Sequence, residues 1–451
     1  MKKRCLTAIK FLAVVTIAAV AWIGSLESAD KKYTTLTNAD AQEMLNTIQA
    51  DIKKYYYDSA MHGLNLDKRF EEARQKIAVA KSQDEALLDI AATVEALKDS
   101  HTHFRPPFRP YGIDYGWLMQ AVGDSSCYVT QVRSDSDAAA KGMKPGDQVL
   151  SINGISLVRE DISYVEYSYR VFPQSGFHLV LRSPDGTERP LVVMAKVIPG
   201  QIMIRRADFL NWAENHRRDG HDNHSKYYKT NERVIFWKLP DFVVDPVDVD
   251  GLLNKVRSYD TVVLDLRGNP GGRVDAAEKF IGGFFDHDVK VADRKGRREF
   301  KPEMAKTRGH GAFGGKLIVL VDSKSKSAAE IFARVVQLEK RGTILGDRSA
   351  GAVMESEVFI HAVAFDQRRA NVTQYGAAIA IADLIMADGK SIENVGVTPD
   401  ERIVPTPADI AAGRDPVLAR AAALAGLKMT PEEAGKIFPF EWPKQPMPEM
   451  D

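Results

Sequence analysis

The order of apolar patterns along the chain predicts an α/β (α+β) multidomain protein. Three observations predict it: helical spacing over residues 38–97, a switch to period two after Pro106-Pro107, and alternating strands and helices from Val234 onward. A chain of 451 residues is also too long for one compact core.

Residues 1–29 read as a signal peptide or an N-terminal anchor. Lys2, Lys3 and Arg4 precede an apolar run from Phe11 to Ile23, which is shorter than the ~20 residues a membrane-spanning helix needs. Ser28-Ala29 suits cleavage and Glu27 does not, so removal and retention as a membrane anchor both stay open, and a periplasmic or secreted location is expected. Cys5 precedes the apolar run and would leave with it. Cys127 then stands alone in an apolar stretch, as a small core residue with no disulfide partner.

Residues 30–105 are the predicted helical domain. Met44, Ile48, Ile52 and Tyr55, then Ile77, Leu87, Ile90, Val94 and Leu97, recur at helical spacing around a break at Gly63, with Asn38 and Ser82 as expected caps. Residues 108–198 form a β-rich module with strands near 128–130, 149–152 and 177–181, and Asn153-Gly154 suits a tight hairpin. Residues 199–232 are a polar linker or insertion. His216, His221 and His224 within it fit no ordinary zinc spacing and read as a solvated loop, so neither a metal nor an organic cofactor is expected. Residues 233–425 form the α/β core, with strands at 234–239, 261–266, 317–321 and 343–345 and helices at 248–256, 275–285 and 328–338. Residues 426–451 close the chain as a tail whose Pro-rich end, 438–450, should be extended. Lys+Arg and Asp+Glu balance at 61 each, which argues against nucleic acid or an anionic membrane surface as a partner.

Two segments could carry chemistry. Val262-Val263-Leu264-Asp265-Leu266-Arg267-Gly268-Asn269-Pro270-Gly271-Gly272 is a buried strand running into a loop whose glycines let backbone N–H groups approach an oxyanion; a plain strand-to-helix turn reads equally from these residues. In Val319-Leu320-Val321-Asp322-Ser323-Lys324-Ser325-Lys326-Ser327-Ala328-Ala329-Glu330 a strand ends and a helix begins at Ser327. A serine there is either a nucleophile at the C-terminal edge of the sheet or the N-cap of a capping box closed by Glu330.

These two motifs, with Gly346-Asp347, Gly351 and Val395-Gly396-Val397-Thr398-Pro399-Asp400 following in order, resemble the tail-specific (C-terminal processing) protease family, which also embraces the tricorn core protease. The resemblance covers roughly residues 38–405. It implies a PDZ-like domain, whose signature residues 142–154 (Gly-Met-Lys-Pro-Gly-Asp-Gln-Val-Leu-Ser-Ile-Asn-Gly) match, and a ClpP/crotonase-like α/β protease core. It further implies an exported serine endopeptidase acting on proteins or peptides, with Ser327 as nucleophile and an oxyanion hole of backbone N–H groups from Gly271 or Gly272 and from Ala328. A PDZ-like module would add an extended peptide as a strand, with Tyr111, Gly112 and Ile113 in the carboxylate-binding loop; Asp114 there could repel a peptide terminus.

One departure bears on mechanism. Bacterial members of the family use a lysine base twenty-five residues beyond the serine and directly after a glycine, and that position is Ala352, after Gly351. The tricorn-like branch uses a histidine supported by a neighbouring serine and a distant glutamate. Ser100-His101 and Glu393 match it, so His101 is the expected base, oriented by Ser100, with Glu393 sustaining the polarity. Asp-x-His-Thr also recurs in the lysine-dependent branch, where it is not the base. Lys324 and Lys326 are rivals, although an exposed lysine keeps a pKa near ~10.4. A catalytically inactive, PDZ-containing peptide-binding protein is the alternative from another class.

Overall fold

The computed structural model describes residues 36–109, 111–199, 225–366 and 371–442. The signal or anchor, most of the polar linker with its three histidines, and residues 443–451 of the tail lie outside the described residues.

Helices α1 (Asn38–Tyr55), α2 (Leu66–Ala78) and α3 (Gln83–Val94) form the N-terminal layer. Ser82 caps α3 by accepting from Glu85 N, as its position suggested. At α1 the cap is Thr37, which exchanges bonds with Asp40, while Asn38 donates to Ala80 O. Met44, Ile48, Ile52, Phe70, Ile77 and Ile90 bury the periodic face, and the same cluster takes in Tyr375, Ala377 and Ile379. The helices therefore share their core with strands almost three hundred residues away in sequence. Strand β1 (His103–Arg105) enters that sheet directly.

The β-rich module follows with β2 (Tyr111–Asp114), β3 (Trp117–Val122), β4 (Ser126–Val132), β5 (Gln148–Ile152), β6 (Ile155–Ser156), α4 (Ile162–Val171), β7 (Gly176–Arg182), β8 (Glu188–Met194) and β9 (Lys196–Pro199). Its sheet runs β3-β4-β5-β7-β8, with β6 on β5. Asn153 (φ 50°) and Gly154 (φ 79°) join β5 to β6 with both central residues left-handed, the geometry a two-residue hairpin turn demands. Burial pushes the Cys127 thiol up to about 12, which fits a packed core thiol. Tyr111, Gly112 and Ile113, expected in a loop, lie instead in β2, because residues 196–199 add a short strand that pairs with them. Asp114 faces Arg133 (3.2 Å) and accepts from Gly116 N (2.9 Å), so its charge is already met.

The core begins with β10 (Lys226–Lys229), inside the stretch read as linker, and β11 (Val234–Lys238). It continues through α5 (Pro246–Val256), β12 (Thr261–Asp265), α6 (Val274–Gly282), β13 (Val289–Gly296), β14 (Glu303–Ala305), β15 (Lys316–Val321), α7 (Ala328–Leu338), β16 (Thr343–Gly346), β17 (Met354–Asp366), β18 (Asn371–Met386), β19 (Glu401–Arg402) and α8 (Pro416–Leu424). One sheet runs β10-β11-β12-β15-β16-β19, parallel except for β10. Every residue of β12 is buried, as a parallel strand covered on both faces requires. Leu253, Phe280 and Phe332 of α5, α6 and α7 cover one face, and Leu418 and Ala421 of α8 the other. The second sheet runs β1-β18-β13-β14, with β17 also on β18. Alternation of alanine with isoleucine hid β18 from a reading based on β-branched and aromatic runs.

Module and core meet at charged residues. Arg159 pairs with Asp347 (2.7 Å) with both side chains 6% exposed, and Gly123 N donates to the same Asp347 oxygen (2.9 Å). Gln120 Nε2 donates to Asp322 Oδ2 (2.7 Å), and Ser323 Oγ donates to Ala121 O (2.5 Å). Arg159→Ala leaves a buried carboxylate whose remaining cation is Arg402, 3.2 Å away and partly exposed. A loss of about 3 kcal/mol or more is expected, read as a lower denaturant midpoint.

Candidate active site

Strand β12 delivers the first loop. Asp265 sits at its C-terminal end, and although burial opposes ionisation, Arg267 and Lys238 hold its carboxyl well below the usual range. Arg267 in turn bonds Asp415 through both terminal nitrogens (2.9 and 2.7 Å), so the Asp-x-Arg pair anchors the loop to α8. Asn269 is fully buried. It donates to Leu239 O (2.9 Å), accepts from Gly271 N (2.8 Å) through its side chain, and accepts from Lys326 N (2.9 Å) through its carbonyl. One asparagine thus ties the glycine loop to the serine turn.

That turn follows β15 and holds three serines. Ser323 donates to the neighbouring module, and Ser325, fully buried, donates to Leu266 O (2.8 Å) while accepting from Asp322 N (2.9 Å). Ser327 sits at the N-cap position of α7 with φ 51° and ψ −118°, a backbone region that costs a non-glycine residue about 1–3 kcal/mol. Its N–H, donating to Ala352 O (2.9 Å) and Glu330 Oε2 (3.1 Å), holds it there. Glu330 closes the capping box and does more. Its buried carboxylate also accepts from Ser349 Oγ (2.6 Å), Gly351 N (2.7 Å) and Ala352 N (2.9 Å). Burial raises its pKa, against the pull of those four donors.

Gly271 presses on Ser327: a Cβ there would stand 2.6 Å from Ser327 Cβ and 3.1 Å from Ala328 N. With φ at 100°, the position excludes a side chain on both grounds. Gly271 N is engaged by Asn269, which leaves Gly272 and Ala328 as the candidates for the oxyanion pair that the sequence suggests.

The second sheet brings the remaining residues. Glu393 accepts from Ser100 N (2.8 Å) and Ser100 Oγ (2.7 Å), and from Val353 N (2.7 Å). Ser100 Oγ stands 2.7 Å from His101 Nδ1. Since Val353 follows the Ala352 that bonds Ser327, the sequence-predicted residues converge on one place. The link from His101 to Ser327 is not formed: among the described residues no hydrogen bond joins them. Burial lowers the His101 pKa to about 4, helped by His103 and Lys326 and opposed by Asp99. Burial pushes Glu393 up to about 7, against bonds from Val353 and Ser100. His103 faces away, bonded to Glu95 (2.5 Å) and Ser100 O (2.6 Å). Lys324 lies 3.5 Å from Glu166 of α4. Ala352, where the lysine was sought, does lie against Ser327 and offers only a methyl group. Sequence reasoning missed the wider roles of Glu330 and Asn269; Ser-x-x-Glu had signalled only a helix start.

Fold and site define a serine-type peptidase built from N-terminal helices, a PDZ domain and a protease domain. Residues 235–403 match peptidase family S41, and residues 112–163 match the PDZ domain. The serine-type peptidase domain is thus of the S41 type, and the relatives that the chain resembles are named C-terminal processing or tail-specific proteases. It is 23% identical over 407 residues to a probable CtpA-like serine protease of Staphylococcus haemolyticus, covering 87% of this chain and 71% of that one. It is 22% identical over 364 residues to the carboxy-terminal processing protease CtpB of Bacillus subtilis, covering 76% and 69%. Among solved structures, mature CPAF complexed with lactacystin shares the fold with a TM-score of 0.58 at 14% identity, covering 83% of this chain and 95% of that one.

Proposed function

We propose that the protein is an exported serine endopeptidase that cleaves protein or peptide substrates through an acyl-enzyme on Ser327, with His101 as general base. The observation that carries this reading is the Glu393–Ser100–His101 chain of hydrogen bonds beside the serine. Ser100 has one hydroxyl proton. Donated to the Glu393 carboxylate, it leaves Ser100 Oγ to accept the proton on His101 Nδ1, so His101 Nε2 carries the free lone pair. In the substrate complex that nitrogen takes the Ser327 proton as Oγ attacks the carbonyl carbon, and the developing oxyanion is met by Gly272 and Ala328 N–H. The imidazolium, supported through Ser100 by Glu393, passes its proton to the leaving amine; water then hydrolyses the ester with His101 again as base.

Export rests on the Lys2–Arg4 cluster and apolar run, with a periplasmic or secreted destination and the N-terminus as the sole proposed membrane contact. The PDZ domain would hold the substrate as an added strand near Tyr111, Gly112 and Ile113, and the Asp114–Arg133 pair removes the objection of repulsion.

Fluorophosphonate labelling tests the reading. Wild type should label, Ser327→Ala should not, and His101→Ala should label about 10²–10⁴-fold more slowly. Labelling that survives Ser327→Ala rules out the nucleophile. A wild type that never labels would instead be the peptide-binding protein that Ala352 alone suggests.

A further inference from the structure

Beside Ser327 lies a cavity lined also by Gly272 and Ala328, the two residues proposed above as oxyanion donors. The residue whose carbonyl oxygen would lie between those donors is the acyl-side residue of the scissile bond, P1, and a cavity that shares Ser327, Gly272 and Ala328 is the candidate for its side chain. Its apolar lining comes from Ala277, Ile281, Ile331 and Met354. Glu278, Glu303 and Glu355 line it too, and these with Val274 also line an adjoining cleft of about 470 Å³.

The charges there do not cancel. Arg294 is committed to Glu355 through two nitrogens and reaches Glu303 only at 3.7 Å. Arg273, at the outer cleft, is bonded to Asp275 (3.0 and 2.6 Å), and Lys301 is exposed on the same outer side. Glu303 is 6% exposed, and its Oε2 is buried without a hydrogen-bond partner. A buried carboxylate oxygen left unpaired in a cavity that opens on the nucleophile calls for a cation from outside.

We infer that this cavity is the P1 pocket and that it selects a long, unbranched basic side chain, lysine or arginine, whose charged end meets Glu303 and Glu278. The inference rests on the assignment of Ser327 as nucleophile. The cavity beside Ser327 holds about 20 Å³, room for roughly one water, so a P1 side chain enters only by shifting its flexible lining, Met354 foremost, and a slender aliphatic stem demands the least widening. Burial, with Glu355 and Glu278 adding to it and Arg294 opposing, pushes the Glu303 carboxyl up to about 7. The preference for a basic residue should therefore grow between pH 6 and pH 8.

The test uses the full-length protein and peptide aldehydes of one sequence ending in arginine, lysine, leucine or glutamate, each competed against fluorophosphonate labelling. The arginine or lysine aldehyde should protect at a concentration at least tenfold below that needed for leucine at pH 8, and the ratio should shrink at pH 6. Glu303→Gln and Glu278→Gln should each lower that ratio by at least fivefold; two positions guard against one variant failing to fold. Equal protection by leucine, or a ratio unmoved by both variants, overturns the inference while leaving Ser327 as nucleophile. Absence of labelling in the uninhibited wild type overturns the proposed function and this inference with it.

Discussion

Glu393→Gln is expected to lower kcat/KM by about 10²–10⁴-fold while leaving the protein folded. The reason is the direction of one proton. A glutamine amide can donate to Ser100 Oγ, and Ser100 then donates to His101 Nδ1 and leaves the proton on Nε2, where a general base needs a lone pair. Protonation of Glu393 does the same to the wild type. Because Glu393 titrates near 7 and His101 near 4, activity should rise with pH through about 7, and the variant should lack that limb. Stability runs the other way. A carboxyl raised from 4.5 to about 7 contributes stability below pH 4.5 and loses it as pH rises through 7, at up to about 3 kcal/mol. At pH 8 the variant escapes that loss but leaves the Val353 N–H facing an amide NH2 that cannot accept, so the two effects oppose each other and it should denature within about 2 kcal/mol of wild type. Steady-state rates from pH 5 to 9 and thermal denaturation at pH 8 check both; an unchanged acid limb in the variant would reassign it.

Glu330→Ala should damage both fold and site. It strands Ser349 Oγ and the N–H groups of Gly351 and Ala352, and it removes one of two bonds that keep Ser327 in its left-handed conformation. Buried donors without partners cost about 1–3 kcal/mol each, so a loss of about 3–5 kcal/mol is expected after relaxation. The labelling rate of the folded fraction should fall about 10²-fold, since a nucleophile displaced by an ångström loses attack geometry. Glu330→Gln, which keeps an acceptor, should recover part of both. Urea denaturation and labelling of the same preparations separate the two effects; full activity in Glu330→Ala would show that Ala352 O alone fixes Ser327.

Much of this was legible from the chain itself. The parallel sheet announced itself through apolar runs such as Thr261–Asp265 and Lys316–Val321, and Asn153-Gly154 fixed its hairpin through turn chemistry alone. The site's residue types were legible as motifs. What stayed hidden depends on contacts distant in sequence: β2 became a strand only because residues 196–199 reach it, and Asn269 acquired its purpose from Lys326. The long β17–β18 pair escaped because alanine weakens the strand signal, and Glu330 escaped because a capping box explained it sufficiently.

The two sheets divide the site between them. Ser327 and the glycine loop ride on the parallel sheet, whereas Ser100 and His101 directly precede β1, which leans on β18 and on the N-terminal helices. On the assignment proposed above, a chain emerging unfinished from an export channel carries its serine on one unit and its base on another. Cleavage then belongs to the completed molecule alone, and a precursor in transit is harmless to its neighbours because its site is not yet assembled.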